Sequence, residues 1–142
     1  MVACASNDTI EAKTHCKWVW AFVNAIDINL FNKIYTTYCR HKKFVSVKPI
    51  FDSEYLDPSN DIIGYWHNNQ IVAFSIIHRF DYENAECVQF AWDYQEPKLR
   101  LGIESLKTEC AIYKQRGFKY LYLGLAHDYK REIDGYEELG PL

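Results

Sequence analysis

The sequence predicts an α+β fold in which helices flank one central, mixed and mostly antiparallel sheet. Three observations predict it: a hairpin with polar turn residues, strands with alternating apolar residues, and a helical apolar stripe between two strands. The chain has 142 residues, of which 49% are apolar. This size and composition fit a single domain over residues 1–142 with a sizeable core.

Two helices are expected ahead of the sheet. Asp8 and Glu11 have the spacing of a capping box, so we expect the first helix to begin there. Its buried face would carry Val19, Phe22, Val23 and Ile26.

Asp27 is the expected N-cap of the second helix. Its apolar residues are spaced three and four apart: Ile28, Phe31, Tyr35 and Tyr38. The helix would end in the basic run 40–43, which suits the negative end of the helix dipole. The alternative is that this run faces a phosphate.

Residues 45–61 contain two prolines and predict a short strand and a surface loop. A hairpin follows, with Asn68 and Asn69 in its turn because both residues tolerate positive φ. In its second strand we expect Val72, Phe74 and Ile76 on one face and Ile71, Ala73, Ser75 and Ile77 on the other. Both faces are mostly apolar, so this strand should be covered on both sides.

The strand over residues 86–94 alternates between two faces. One face would hold Val88, Phe90, Trp92 and Tyr94, and the other Cys87, Gln89, Ala91 and Asp93.

A helix and a returning strand complete the predicted sheet. The helix carries a stripe of Leu99, Ile103, Leu106, Cys110 and Tyr113. Gly117 should end it, and the strand over residues 118–123 should run parallel to strand 86–94 or splay apart from it. The tail from Ala126 predicts a loop-rich segment or a short helix.

The charge and the cysteine content of the chain limit the kinds of partner and cellular compartment that we expect for it. The net charge of −3 argues against a strongly basic nucleic-acid-binding surface but leaves a local basic patch open. Five cysteines without a CxxC pair or a signal peptide predict reduced thiols, and therefore a cytoplasmic protein. No Cys/His set has metal-ligand spacing, and no apolar run is long enough to span a bilayer, so we expect no metal and no membrane partner.

The start of the predicted helix is the best candidate for a ligand site. Its first turn offers unpaired backbone N–H groups to a phosphate, Gly102 allows close approach, and Lys98 and Arg100 add positive charge. The alternative for Gly102 is helix-on-strand packing.

Acid–base chemistry has two candidate residues near this loop. Asp93, between two aromatic residues, could accept a proton from an attacking amine, although it could instead cap a turn or pair with Lys98. Tyr122 could donate a proton to a leaving group, with packing as its alternative role. Ser105 and Glu109 share one helix face, where a solvated or ion-paired Glu109 is expected.

The order of elements resembles the GNAT (Gcn5-related N-acetyltransferase) superfamily, and several motifs resemble the C-terminal domain of arginyl-tRNA–protein transferases. The resemblance covers roughly residues 62–136. It rests on a hairpin at 69–74, an aromatic strand end at 90–94, a helix start at 101–106, a returning strand at 120–124 and the pair Tyr129-Lys130.

This resemblance implies an acyltransferase that moves an acyl or aminoacyl group from acetyl-CoA or aminoacyl-tRNA to an amine on a small molecule or a protein N-terminus. Asp93 and Tyr122 would be catalytic. The donor would be bound by Trp92, Lys98, Arg100, Leu101, Gly102, Ser105, Tyr129 and Lys130. Because one glycine stands where the acetyltransferase pattern has two, the alternative is a non-catalytic module that binds a nucleic acid, such as tRNA, or a protein.

Overall fold

The computed structural model describes residues 2–3, 18–44, 47–95, 99–124 and 128–139. In chain order its elements are β1 (Val2–Ala3), β2 (Val19–Phe22), α1 (Ile28–Lys42), α2 (Asp52–Leu56), β3 (Asn60–His67), β4 (Gln70–Arg79), β5 (Asn84–Trp92), α3 (Leu101–Gln115), β6 (Tyr120–Tyr122), a 3-10 helix (Asp128–Glu132) and β7 (Glu137–Glu138).

One seven-stranded sheet, in the order β2-β3-β4-β5-β6-β1-β7, forms the centre of the molecule. Its pairs are antiparallel except for β5 and β6, which run parallel. Helix α3 packs on one face, where the core includes Tyr65, Ile77, Tyr113 and Leu121. Helices α1 and α2 pack on the other face, where the core includes Phe31, Tyr55, Phe74 and Ile76. The predicted α+β class is confirmed, and so is the burial of β4 on both faces.

Helix α1 begins after the predicted N-cap and ends in the predicted basic run. The Asp27 side chain accepts a hydrogen bond from the Leu30 N–H at 3.1 Å, as an N-cap does. Lys43 ends the helix in the left-handed conformation with φ of 56°.

The helix expected over Val19–Ile26 is wrong, because Val19–Phe22 form strand β2. This strand pairs antiparallel with β3, from Val19 opposite Trp66 to Phe22 opposite Ile63. Val, Trp and Phe favour extended backbone, and pairing with β3 outweighs the helical spacing of the apolar residues. Asp8 and Glu11 lie outside the described residues.

Helix α2 occupies part of the segment where a strand and a loop were expected. The Phe51 N–H donates to the Glu54 carboxylate at 2.7 Å, and the Glu54 N–H donates back to the Phe51 carbonyl at 2.9 Å. These two reciprocal bonds start the helix at Asp52, and the buried Tyr55 ring anchors it to the core.

Two bulges interrupt the expected alternation. Val72 is the extra residue where β3 pairs with β4, and Val88 is the extra residue where β4 pairs with β5. A bulge inserts one residue and so exchanges the faces of the residues beyond it. Val72 therefore packs with the α3-side core rather than with Phe74. Cys87 likewise packs on the α3 face, which corrects its expected grouping with Ala91.

The second half of the chain matches its predicted elements with small shifts in their ends. All five residues of the helical stripe are buried, and Gly117 follows α3 with φ of 87°. The strands expected over 86–94 and 118–123 are Asn84–Trp92 and Tyr120–Tyr122. The tail contains the expected short helix, at Asp128–Glu132.

The described cysteines differ in whether they form a disulfide bond. Cys39 and Cys87 are free, whereas Cys110 is disulfide-bonded, so the expectation of reduced thiols is wrong for Cys110. Within the described part of the chain, no helix has both the length and the apolar character needed to cross a bilayer. The same residues contain no group of three or more His, Cys, Asp or Glu placed to hold a metal ion.

Candidate functional site

A cleft opens where β5 and β6 stop pairing. The two strands pair only from Asn84 opposite Tyr120 to Glu86 opposite Tyr122. Beyond Glu86, β5 continues to Trp92, whereas β6 ends at Tyr122. The space between them is about 510 Å³, which is the size of a small-molecule site.

Four segments wall this cleft. They are the bulged part of β5, the last turns of α1, the first turns of α3, and the 3-10 helix with Leu123 before it. The described lining residues are Tyr38, Lys42, Cys87, Val88, Gln89, Phe90, Trp92, Tyr94, Arg100, Gly102, Ile103, Leu106, Leu123, Tyr129, Lys130 and Glu132.

The N-terminus of α3 faces the cleft without a side-chain cap. Its N-cap is Arg100, in the left-handed conformation with φ of 50° and with no side-chain hydrogen bond to the helix. The positive end of the helix dipole therefore has no capping side chain in competition with a ligand. A Cβ placed on Gly102 would meet no atom within 4 Å. Packing thus does not require glycine at this position, and the space beside it is open.

The cleft is mostly cationic. Lys42 from α1, Arg100 from the start of α3 and Lys130 from the 3-10 helix line it, and Glu132 supplies a carboxylate. Arg100 and Glu132 form an exposed ion pair at 3.7 Å, which contributes little to stability. Lys130 is almost fully buried and donates to the Leu123 carbonyl at 2.7 Å, and burial lowers its pKa. Lys42 and Arg100 are thus the cations best placed to meet a ligand anion.

Aromatic rings gather at one side of the cleft. The Tyr94 ring stacks on His41 with centroids 3.6 Å apart and on Tyr38 at 5.9 Å. Trp92 lies 4.5 Å from Tyr94, and the Lys42 ammonium is 6.0 Å from the Tyr38 and Tyr94 rings. Planar rings beside a cation are suited to a base and phosphate of a nucleotide.

The structure brings together half of the residues singled out from the sequence. Five of them line the cleft: Trp92, Arg100, Gly102, Tyr129 and Lys130. Leu101 is fully buried in the core. Ser105 is also buried, and its hydroxyl donates to the Gly102 carbonyl at 3.2 Å. Lys98 lies outside the described residues.

The two residues expected to be catalytic lie elsewhere. Asp93 lines a separate, smaller cavity, and its carboxylate accepts from the Gln95 N–H at 3.1 Å, in the turn-capping role considered as its alternative. The Tyr122 hydroxyl donates to the Asn84 side-chain oxygen at 3.3 Å, and Tyr122 is not among the described residues that line the cleft.

A buried carboxylate, Glu109, lies behind the cleft floor, and no catalytic or donor-binding role was expected for it from the sequence. Glu109 on α3 is 1% exposed, which corrects the expectation of a solvated or ion-paired residue. Its carboxylate accepts from the Tyr65 hydroxyl, from the Ser75 hydroxyl at 2.9 Å and from the Cys87 thiol at 3.7 Å. The sequence spacing indicates this burial, because Glu109 lies three residues after Leu106 and four before Tyr113, and both of these belong to the apolar stripe.

The buried surroundings of Glu109 and Cys87 shift the pKa of both side chains. Burial raises the pKa of Glu109 to about 7, although the hydrogen bonds from Tyr65, Ser75 and Cys87 oppose the shift. Burial and the nearby Glu109 carboxylate raise the pKa of the Cys87 thiol well above its usual range, while the Lys130 charge opposes this. Glu109 can therefore exchange a proton near neutral pH, as a general base must.

Comparison with known proteins gives structural neighbours. No protein-family model and no curated protein sequence matches the chain. It is similar to the C-terminal domain of a protein assigned as a lysylphosphatidylglycerol synthetase from Agrobacterium fabrum, with a TM-score of 0.62 and 12% identity over 82% of this chain. The chain spans only 39% of that structure.

Two further neighbours carry acetyltransferase names. One is a ribosomal-protein-alanine N-acetyltransferase from Brucella melitensis, with a TM-score of 0.55 and 13% identity over 82% of this chain and 86% of that one. The other is a GNAT family acetyltransferase from Elizabethkingia anophelis with acetyl-CoA bound, with a TM-score of 0.50 and 14% identity over 82% of this chain and 70% of that one. At these identities the likeness concerns the fold.

Proposed function

Because the chain has the fold of the GNAT acetyltransferases, we propose that it transfers an acyl group from an acyl-CoA thioester to an amine. The observation that carries this proposal is the cleft at the β5–β6 divergence, with the open space at Gly102 at one end of it. The acetyl-CoA-bound neighbour supports the choice of donor.

The donor's pyrophosphate would bind at the first turn of α3. Backbone N–H groups at a helix N-terminus attract phosphate, and the absence of a side chain at Gly102 lets the phosphate approach them. Arg100 would add charge from the same side and Lys42 from the α1 side. The aromatic group around Tyr94 would stack the adenine.

The acyl-bearing arm would lie along β5. Beyond Glu86 the β6-facing edge of this strand has no β6 partner among the described residues, so the amide groups of an extended ligand can pair with it. The bulge at Val88 takes one residue out of the ladder with β4. Its backbone N–H would serve as a donor to the oxygen that gains charge when the amine attacks.

The test is titration calorimetry of the protein with acetyl-CoA, with CoA and with adenosine diphosphate. We expect heat from all three ligands, with acetyl-CoA and CoA binding more tightly because their arm adds contacts along β5. Absence of heat from acetyl-CoA at millimolar concentration contradicts the proposal.

A second donor class follows from other observations. The transferred group would then be an aminoacyl group. The sequence resemblance to arginyl-tRNA–protein transferases favours it. The name of the Agrobacterium fabrum neighbour also favours it, because that name denotes a lysyl-bearing product. The amine acceptor could then be a protein N-terminus. Heat from a 3′-aminoacyl-adenosine analogue, but none from acetyl-CoA, would select this donor.

The third candidate is a non-catalytic module that keeps the cleft for a nucleic-acid or protein partner. It is favoured by the single glycine after Arg100, where the acetyltransferase pattern has two. Binding of acetyl-CoA without acyl transfer to any amine in a panel of peptides, polyamines and aminoglycosides would support it.

A further inference from the structure

A row of paired residues crosses the sheet next to the cleft, on the face that carries α1 and α2. His78 lies on this face because it is two residues after Ile76, which belongs to the core beneath those helices. Residues paired directly across neighbouring strands share a face. From His78 the pairing continues through Glu86 on β5, Tyr122 on β6 and Ala3 on β1 to Glu137 on β7.

Two carboxylates of this row lack a partner within the described part of the chain. Glu86 is half-buried and Glu137 is exposed, and neither side chain forms a hydrogen bond or an ion pair there. His78, which is paired with Glu86, bonds through Nδ1 to the Asn60 side-chain oxygen at 2.7 Å. A half-buried charge without a partner has lost part of its hydration, so Glu86 gains from a bound cation.

Two tyrosine rings lie beside these carboxylates. Tyr122 stands between Glu86 and Glu137 in the row. Its ring stacks on Tyr120 with centroids 6.0 Å apart. The Lys119 ammonium lies 5.4 Å from the Tyr120 ring, so this surface already attracts one cation of the chain itself. Ring faces bind ammonium groups, and methylene chains pack along them. We name Glu86, Tyr120, Tyr122 and Glu137 the carboxylate–tyrosine surface.

The carboxylate–tyrosine surface borders the point where the acyl group would lie. Val88, whose N–H is the proposed donor to the acyl oxygen, is 46% exposed. It lies two residues beyond Glu86, within roughly 7 Å along the strand. On the α3 face the sheet is covered here by core residues, among them Leu121 and Leu123. An amine can therefore approach Val88 over Glu86 and not through the core.

The charges on this surface and in the cleft are opposite in sign. The cleft is mostly cationic, which suits the phosphates of the donor. Glu86 and Glu137 instead suit an acceptor that carries ammonium groups. The surface offers few donors to a peptide carbonyl, because the Tyr122 hydroxyl already donates to the Asn84 side-chain oxygen at 3.3 Å. A polyamine therefore matches this surface better than a peptide does.

We propose that the carboxylate–tyrosine surface binds the acceptor, and that the acceptor is a linear polyamine. Its reacting amine lies at Glu86 and a second ammonium lies at Glu137. This inference rests on the proposed function, because it places the acyl carbon at Val88. The ammonium at Glu86 releases one proton to water before it reacts. The neutral nitrogen then bonds to the acyl carbon, the carbon–sulfur bond breaks, and the CoA sulfur leaves with a second proton from the nitrogen.

The separation of the two carboxylates sets the length of the acceptor. Glu86 and Glu137 are three strand spacings apart, which puts their Cα atoms roughly 14 Å from each other. An extended spermine is long enough to contact both side chains, whereas putrescine is too short and butylamine has a single charge. The surface should therefore rank these three amines by length and charge.

The experiment measures acetyl transfer from acetyl-CoA to butylamine, putrescine and spermine by the full chain. We expect KM to fall in that order, at least roughly tenfold from putrescine to spermine. Glu86→Gln should raise KM for spermine roughly tenfold, and the more exposed Glu137→Gln at least roughly threefold. The matched control is Glu83→Gln, which removes the same charge from the exposed turn before β5 and should change KM less than about twofold.

Calorimetry with spermine on the CoA-saturated protein measures binding without turnover. Heat that Glu86→Gln weakens and Glu83→Gln leaves unchanged would support the inference. Absence of heat from spermine would overturn it, and so would equal effects of the two variants or a lower KM for a peptide N-terminus than for spermine.

The failure of this inference can be told apart from the failure of the proposed function. If acetyl-CoA binds and amines are acetylated without preference for spermine, the acceptor assignment is wrong and the proposed function stands. If acetyl-CoA does not bind but spermine binding still depends on Glu86, the amine site stands and the donor assignment is wrong.

Discussion

At the scale of single residues, the position of Glu109 is the largest departure from expectation. A carboxylate in a helical apolar stripe is ordinarily excluded from a core because its ionised form loses hydration. Here hydroxyls from β3 and β4 and a thiol from β5 contact it. Periodicity in the sequence placed it on the inner face, but these partners come from strands more than twenty residues away, which local spacing cannot reveal.

Glu109 should make folding stability depend on pH. Its folded pKa of about 7 exceeds the ordinary 4.5, so its contribution is fully present below about pH 4.5 and is lost as pH rises towards 7. The loss is about 3 kcal/mol at most. Urea unfolding at pH 5 and pH 8 should show this loss in wild type and not in Glu109→Gln, whose amide still accepts hydrogen bonds. All other titrating groups are common to both proteins, so equal losses would contradict the prediction.

At the scale of elements, α1, α3 and the β3–β4 hairpin could be predicted because a cap, a stripe or a turn pair marks each of them. The bulges could not, because Val72 and Val88 are apolar residues in strands already rich in them. When the inserted residue is itself apolar, the apolar pattern of the strand is compatible with the pairing register on either side of the bulge. The position of Cys87 beside Glu109 depends on the second bulge, so this part of the site could not be read from the sequence.

The first turn of α3 gives a prediction that separates folding from binding. Gly102→Ala should stabilise the protein by roughly 0.5–1 kcal/mol, since alanine favours helix and its Cβ meets no atom. Gly102→Leu should fold as well but weaken acetyl-CoA binding at least roughly tenfold, about 1.4 kcal/mol, because its side chain extends towards the phosphate position.

Thermal unfolding and calorimetry on the same samples measure the two effects of Gly102→Leu. The matched control is Gln115→Leu, an exposed position at the other end of α3. Unchanged binding by Gly102→Leu would mean that the donor does not use this turn.

At the scale of the whole molecule, a net charge of −3 coexists with a cleft that presents Lys42 and Arg100. Total charge therefore says little about which ligand is bound. The basic run 40–43 ends α1, which is one of the two roles considered for it, and Lys42 from this run also lines the cleft.

Charge reversal at the cleft should weaken donor binding more than reversal elsewhere. Lys42→Glu should raise the dissociation constant for acetyl-CoA at least roughly tenfold at low salt, and the difference from wild type should shrink in high salt. Lys33→Glu is the matched control, because it makes the same change in net charge at an exposed position on the same helix. Equal effects of the two variants, measured by calorimetry at two salt concentrations, would show that only overall charge matters.

The short pairing of β5 with β6 also bears on the mechanics of the sheet. Among the described residues, β5 and β6 pair over three positions at one end of the cleft. A small rotation at these pairs changes the separation of Trp92 from the 3-10 helix much more than it changes the pairs themselves. We expect the spacing between the two cleft walls to vary, and a bound molecule that touches both walls to fix it. Binding energy would then appear partly as slower amide hydrogen exchange at Leu121, a core residue outside the cleft.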